Sequence, residues 1–474
     1  MKLYRFRSME YLLGEEYQEL EKQAIYFASP EELNDPMEGL RDIVWRGDKI
    51  VWTNLFKNYV SYLLELFGKF RRKGVFKELS VDDILLPGRW DIEDSDTATR
   101  FTPVWEAYLR LPNVLRIIEA LANTNHELRY RELELLLRLI HPVLLPEIEK
   151  TLRECGLAFT IVSPCLPEES PTAQELSELI LESIVQLEEA ESLEAVNNVL
   201  SNVERRSKNP RINLPVKIPV PTGILWNNIQ LVQDFPKVYV NNLERLLFPA
   251  WYTACFSKNY HNGSMWANYG DGHKGVCLIF DSAITDAPHS LFPDLRSVPA
   301  KAIWGSDISY DANPVKIDFF TSLAPSVPTL AKLMKLWYTD EEGNISECAT
   351  HIQPDGVEPQ WFEQRWDKFY HDITIKTKDW EYEKEYRITL RELPGHFDKK
   401  KESHTLAYDF NLLKGIIFGI RASDEDILRV INIIRSKVLQ TRREDFRLYQ
   451  AYYSPKHGDI RKGNLPPRFE NLTR

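Results

Sequence analysis

The chain is poor in the residues that would define it quickly. Its five cysteines (Cys155, Cys165, Cys255, Cys277 and Cys348) contain no Cys-x-x-Cys pair, which argues against a disulfide frame or a cysteine zinc site and for reduced, buried thiols. His261 and His273 have no ligand partners at metal spacing, so no metal is expected. No uninterrupted apolar run is long enough to cross a bilayer. The opening Met1-Lys2-Leu3-Tyr4-Arg5-Phe6-Arg7 has no apolar signal core; the expectation is a cytoplasmic protein without membrane contact. Basic excess is missing too. A net charge of −11 argues against broad binding along a nucleic-acid backbone. There is no Gly-x-Ser-x-Gly elbow, no glycine-rich phosphate loop, no internal repeat and no low-complexity tract.

Aromatic side chains, by contrast, are abundant. The 12 Trp, 21 Tyr and 22 Phe imply a substantial core, with stacking surfaces as the less common use. A chain of 474 residues holds two or three domains, or one domain with a large insertion.

Periodicity changes along the chain. Residues 1–40 read as strand, helix, strand and turn, with Ser8 capping a helix to about Glu21. Residues 41–222 carry apolar residues at helical spacing. One helix there is broken by Pro142 and Pro146, and another opens on the capping box Thr172-x-x-Glu175. Strand patterns return in 223–455, and 456–474 read as a tail, poorly ordered from Lys462. The expected fold is therefore α+β: a mixed or antiparallel sheet core formed by both chain ends, interrupted by a large helical insertion. The insertion suggests a protein-interaction module, or a passive elaboration of the scaffold.

The densest chemistry is Trp380-Glu381-Tyr382-Glu383-Lys384-Glu385-Tyr386-Arg387. Its alternation predicts a strand with three carboxylates on one face. Like charges so placed need a cation, a hydroxyl or a metal to meet. Other clusters are Asn34-Asp35-Pro36-Met37-Glu38, Cys255-Phe256-Ser257, and the run from Trp266 through Tyr269 to His273. If that run is helical, Trp266, Tyr269 and His273 share one face. Each cluster also has a plain structural use: Asn34 and Asp35 capping a turn, Ser257 bonding backbone, Glu383 and Glu385 paired to Arg387, Lys376 and Lys378.

In this order the clusters resemble the bacterial family called domain of unknown function 2971, over about 1–40 and 240–455. That family carries an Asn-Asp-Pro-Phe-Glu turn, a Cys-Phe-Ser strand end, a Trp-x-x-Tyr-x-x-x-His-x-Gly segment and a Trp-x-x-Glu-x-Glu-Tyr-Arg strand. Here Met37 replaces the usual Phe, and the helical middle is larger than the family's. More distantly, the elements are similar to the ADP-ribosyltransferase plan. This second resemblance implies NAD as cofactor, Arg5, Ser257, Trp266, Tyr269 and His273 as cofactor contacts, and Glu385 as catalytic carboxylate with Glu383 as its helper. Asn34, Asp35, Glu38, Trp380 and Arg387 are further pocket candidates. The Cys-Phe-Ser motif departs from the Ser-Thr-Ser of that plan. The implied role is a cytosolic effector in stress or anti-phage defence. Two alternatives stay open: a non-enzymatic sensor of a nucleotide or protein partner, and a metal-dependent phosphodiesterase using Asp35, Glu38, Glu383 and Glu385.

Overall fold

The computed structural model describes residues 1–73, 104, 107–154, 172–207, 234–282, 287–292, 301–324, 330–353, 355–392, 401–466 and 469. The chain folds as two compact units. The first takes residues 1–40, 249–315 and 368–474, and the second 41–248 and 316–367.

Strands are numbered along the chain: β1 Lys2–Arg7, β2 Ala24–Tyr26, β3 Asp42–Trp45, β4 Leu128–Arg129, β5 Trp251–Ser257, β6 Val276–Asp281, β7 Lys301–Asp307, β8 Lys316–Asp318, β9 Ile352–Gln353, β10 Gly356–Val357, β11 Glu385–Glu392, β12 Thr405–Ala407, β13 Leu413–Phe418, β14 Arg447–Ser454 and β15 Asp459–Asn464. The fold is α+β, as expected. The first unit is built on a mixed eight-stranded sheet in the order β15-β14-β13-β6-β1-β5-β11-β7. Strands from both ends of the chain share it because β1 alone cannot bury a core.

Period-two alternation gives this sheet two faces. Leu3, Phe256, Leu278, Ile388 and Ile416 pack on one side with Leu12, Leu20 and residues Ile427, Val430 and Ile434 of the helix Asp424–Thr441. Tyr4, Phe6, Cys277, Ile279 and Ile417 pack on the other with Met265, Trp266, Ala451 and Ile460. Ser423 caps the Asp424–Thr441 helix by accepting from the Asp426 amide. β13 and β14, on either side of that helix in sequence, pair in parallel.

The sheet is split between β1 and β5. β1 pairs with β6 along its whole length, and β5 with β11 along its whole length. β1 and β5 share a single register pair, Tyr4 with Ser257. Beyond it the strands fork. Further along β5, Thr253 instead exchanges backbone hydrogen bonds of 2.8 and 2.9 Å with Ala28.

Several local expectations change. The helix capped by Ser8 covers only Met9–Leu13 and ends at Gly14, where a side chain's Cβ would lie 2.3 Å from the Glu10 carbonyl oxygen. A separate turn of helix, Glu19–Lys22, follows. The acidic stretch is not one strand. Lys378–Glu383 is a 3₁₀ helix, Lys384 is left-handed at φ 44°, and the strand starts only at Glu385. Asp459–Asn464, in the stretch read as tail, is a strand paired with β14.

In the second unit β3 lies between β4, antiparallel, and β8, parallel. Helices supply its bulk, among them Lys49–Lys73, Pro112–Asn123, Tyr130–Glu154, Ala173–Glu188, Leu193–Ser207 and Phe235–Leu247. The capping box is formed: Thr172 Oγ1 accepts from the Glu175 amide at 3.2 Å, and the Glu175 carboxylate accepts from the Thr172 amide at 2.7 Å. Helix Tyr130–Glu154 runs through Pro142 and Pro146, which were expected to break it. Burial of Leu139, Ile140, Leu144 and Leu145 holds the helical path against the lost backbone bonds.

Candidate functional site

The fork between β1 and β5 opens into a cavity of about 900 Å³, within the range of small-molecule sites. β1 contributes Arg5 and Arg7, β5 contributes Thr253, Cys255 and Ser257, and the acidic segment contributes Glu383 and Glu385. Asn34, Glu38, Tyr269 and Lys376 also line it.

Three carboxylates converge on one ammonium. Lys376 Nζ lies 2.8 Å from Glu383, 3.5 Å from Glu385 and 3.7 Å from Glu38. Arg387, fully buried, holds Glu385 with two hydrogen bonds of 3.0 and 3.2 Å and reaches Glu38 at 2.6 Å. Its Nη1 also donates to the Ile373 carbonyl at 2.7 Å. The left-handed Lys384 is what allows this. It turns the chain so that Glu383, at the end of the 3₁₀ helix, and Glu385, at the start of β11, meet the same cation. Alternation along a single strand is therefore not what brings them together.

The two glutamates have different surroundings. Burial pushes Glu385 up, but Arg387 and Lys376 outweigh it and hold the carboxyl down at about 2. The Glu385 amide donates to the Tyr310 hydroxyl at 2.9 Å. Glu383 lacks the Arg387 fork. Its carboxyl is raised, chiefly by burial, although Lys376 and Tyr269 act to lower it. Tyr269 donates to Glu383 Oε1 at 2.5 Å. Burial, and then the charge of Glu383, raise the Tyr269 phenol, so it stays a donor. Environments that drive two neighbouring carboxyls apart are the pattern of a split acid and base assignment.

Arg5 is at the open side of the fork. Only 6% exposed, it donates to the Cys255 carbonyl at 3.1 Å, and its Nε has no hydrogen-bond partner. It pairs with no carboxylate among the described residues. Burial first, and then repulsion from Arg7, lower its guanidinium to about 10. A buried cation with spare donors on a cavity wall is suited to an anion.

Ser257 Oγ lies 2.6 Å from the Glu383 carbonyl oxygen and 2.7 Å from that of Asn259. It thus fastens the turn that carries Glu383 to the end of β5. Asn34 bonds the Tyr269 side chain. Asp35 does not line the cavity: it accepts from the Met37 amide at 2.9 Å and shapes the turn that brings in Glu38. Glu381, exposed, pairs with Lys384 instead of joining the cluster.

Besides Asp35, four expected pocket residues are elsewhere. Trp266 is a core residue with no exposure, edge-on to Phe6, and its Nε1 donates to the Tyr260 carbonyl at 2.8 Å. The helix carrying it, Gly263–Asn268, ends before His273. His273 is left-handed at φ 69°, and its carbonyl accepts from the Arg421 amide at 2.9 Å. The expected shared face of Trp266, Tyr269 and His273 therefore does not form, and only Tyr269 reaches the cavity. Trp380 covers Lys376, whose Nζ is 4.6 Å from the ring centroid. Arg387 stands behind Glu385, off the cavity wall. Lys376, Arg7 and Glu19 line the cavity without a pocket role expected from the sequence. The position of Lys376 in Lys376-x-Lys378-x-Trp380 looked like surface pairing, yet Lys376 is buried at the centre, whereas Lys378 is exposed beside Asp311.

Among the described residues no group of three or more His, Cys, Asp or Glu side chains is placed to hold a metal ion. Glu38, Glu383 and Glu385 instead enclose the Lys376 ammonium.

No curated protein and no solved structure matches the chain. Residues 265–388 match the family model described as "Protein of unknown function (DUF2971)", a stretch that contains Tyr269, Lys376, Glu383, Glu385 and Arg387. Over that stretch the chain is similar to the DUF2971 family.

Proposed function

We propose that the cavity binds a phosphorylated ribonucleoside of the NAD type and cleaves its nicotinamide–ribose bond. The observation that carries this reading is that Arg5, Ser257, Glu383 and Glu385 all line the one cavity at the split of the sheet. A guanidinium with free donors suits a phosphate, and a fixed carboxylate suits the cationic character that builds on ribose when a glycosidic bond breaks.

In the proposed step the C1′–N bond breaks and its electron pair leaves with nicotinamide. An oxygen lone pair from water or an acceptor hydroxyl forms the new bond at C1′, and the proton of that oxygen passes to the Glu383 carboxylate. Glu383 takes the reacting role because its raised proton affinity suits a base. Glu385, held by Arg387, supplies fixed negative charge. Tyr269 orients Glu383.

The test is incubation with NAD labelled in the nicotinamide and, separately, in the adenylate. Nicotinamide release supports the reading, and adenylate label on an acceptor makes the reaction a transfer. A protein that neither binds nor cleaves NAD excludes it.

One observation favours a second reading, a sensor that binds without turnover: Glu38, Glu385, Lys376 and Arg387 are tied to one another in a single ion network. Binding of NAD with no release of nicotinamide selects that reading.

A further inference from the structure

Arg5 and Arg7 are two residues apart on β1, and both line the cavity. They differ in one respect. Arg5 has no carboxylate partner among the described residues. Arg7 holds Glu19 in a two-pronged pair, with Nε–Oε2 at 2.7 Å and Nη2 on Oε1. Glu19 is itself a cavity residue and is buried. It starts the one-turn helix Glu19–Lys22, which has left-handed, non-glycine residues on both sides, Gln18 at φ 52° and Gln23 at φ 51°. The fork that a guanidinium offers a carboxylate is the one it offers a phosphoryl group.

We propose that Arg7 is a second anion contact beside Arg5, and that the Glu19 carboxylate occupies the seat a ligand phosphoryl group takes. The site is then built for two adjacent anionic groups, a diphosphate, and Glu19 competes with the second of them. A monophosphate satisfies Arg5 alone and has no need to displace Glu19. This deepens the reading above, since it rests on a phosphorylated ligand at the same cavity.

The experiment titrates inorganic pyrophosphate and inorganic phosphate into the full chain by calorimetry, with Glu19→Gln and Arg7→Gln, alone and together. Glu19→Gln is expected to tighten pyrophosphate about tenfold, the worth of one charge-assisted contact, and to change phosphate little. Arg7→Gln is expected to remove that gain. Equal or weaker pyrophosphate binding by Glu19→Gln, or an equal gain for phosphate, overturns the proposal. If Glu19→Gln does not fold, Glu19→Ala replaces it, with the same ordering expected. NAD cleavage by the wild type with no pyrophosphate gain in Glu19→Gln ends this inference and leaves the function standing. A pyrophosphate gain without NAD cleavage does the reverse.

Discussion

Tyr4 and Ser257 form the one register pair that joins β1 to β5, and the cavity begins where that pairing stops. The Ser257 hydroxyl sits at this junction, 2.6 Å from the carbonyl oxygen of Glu383. Ser257 is thus a positioning residue. Ser257→Ala is expected to cost about 1 kcal/mol of stability, the usual worth of one such hydrogen bond. It is also expected to lower kcat for NAD more than it raises KM. Urea unfolding and steady-state kinetics check the two effects, and a change confined to stability removes the positioning role.

Arg387 is fully buried among Glu38, Glu385 and the Ile373 carbonyl. Arg387→Met leaves two buried carboxylates with Lys376 as their remaining cation. The expected loss is about 3–5 kcal/mol, read as a fall in the denaturation midpoint. A variant as stable as the wild type shows that the network contributes nothing to folding.

Acid should act through Glu385. Its folded pKa of about 2 lies below the model-peptide value of about 4.3. A carboxyl lowered on folding adds stability above its unfolded pKa, and that stability drains away as pH falls toward the folded value. The amount is on the order of 3 kcal/mol. Melting temperatures of the wild type are expected to drop between about pH 5 and pH 2, and Glu385→Gln is expected to flatten that drop. Parallel curves for the two proteins argue that other groups carry the acid sensitivity. Glu383, raised on folding, acts in the opposite sense. Its contribution grows as pH falls through its folded pKa.

Arg5 should govern affinity. Arg5→Gln removes the buried cation at the fork while keeping a donor for the Cys255 carbonyl. Dissociation constants for ADP-ribose are expected to rise about tenfold to a hundredfold, with a weaker salt dependence than in the wild type. Unchanged affinity places the phosphate elsewhere.

Much of this arrangement was legible in the residues, and the unreadable parts have physical causes. The α+β core from both chain ends follows from short strand patterns that cannot bury themselves. Glu383, Glu385, Ser257, Arg5 and Tyr269 stand out as charged or polar side chains in dense clusters, and all five line the cavity. The split could not be read, since β1 and β5 carry ordinary strand patterns and only their pairing reveals it. The left-handed Lys384 was equally hidden, because nothing in Glu-Lys-Glu distinguishes a turn from a continuing strand. Lys376 was missed because its burial depends on three glutamates drawn from distant segments. Trp266 and His273 share a face only in a helix that runs past Asn268, and the helix ends there, with Trp266 packed into the core against Phe6.

The central claim is that Glu383 is the reacting carboxylate of a cavity that cleaves NAD. The most direct measurement is nicotinamide release by the wild type and by Glu383→Gln under identical conditions, with melting temperature as the control for folding. The predicted result is release by the wild type and a loss of about a hundredfold to ten-thousandfold in the variant, measured well below the variant's own melting temperature. Release at the wild-type rate by folded Glu383→Gln, or none by the wild type, contradicts it.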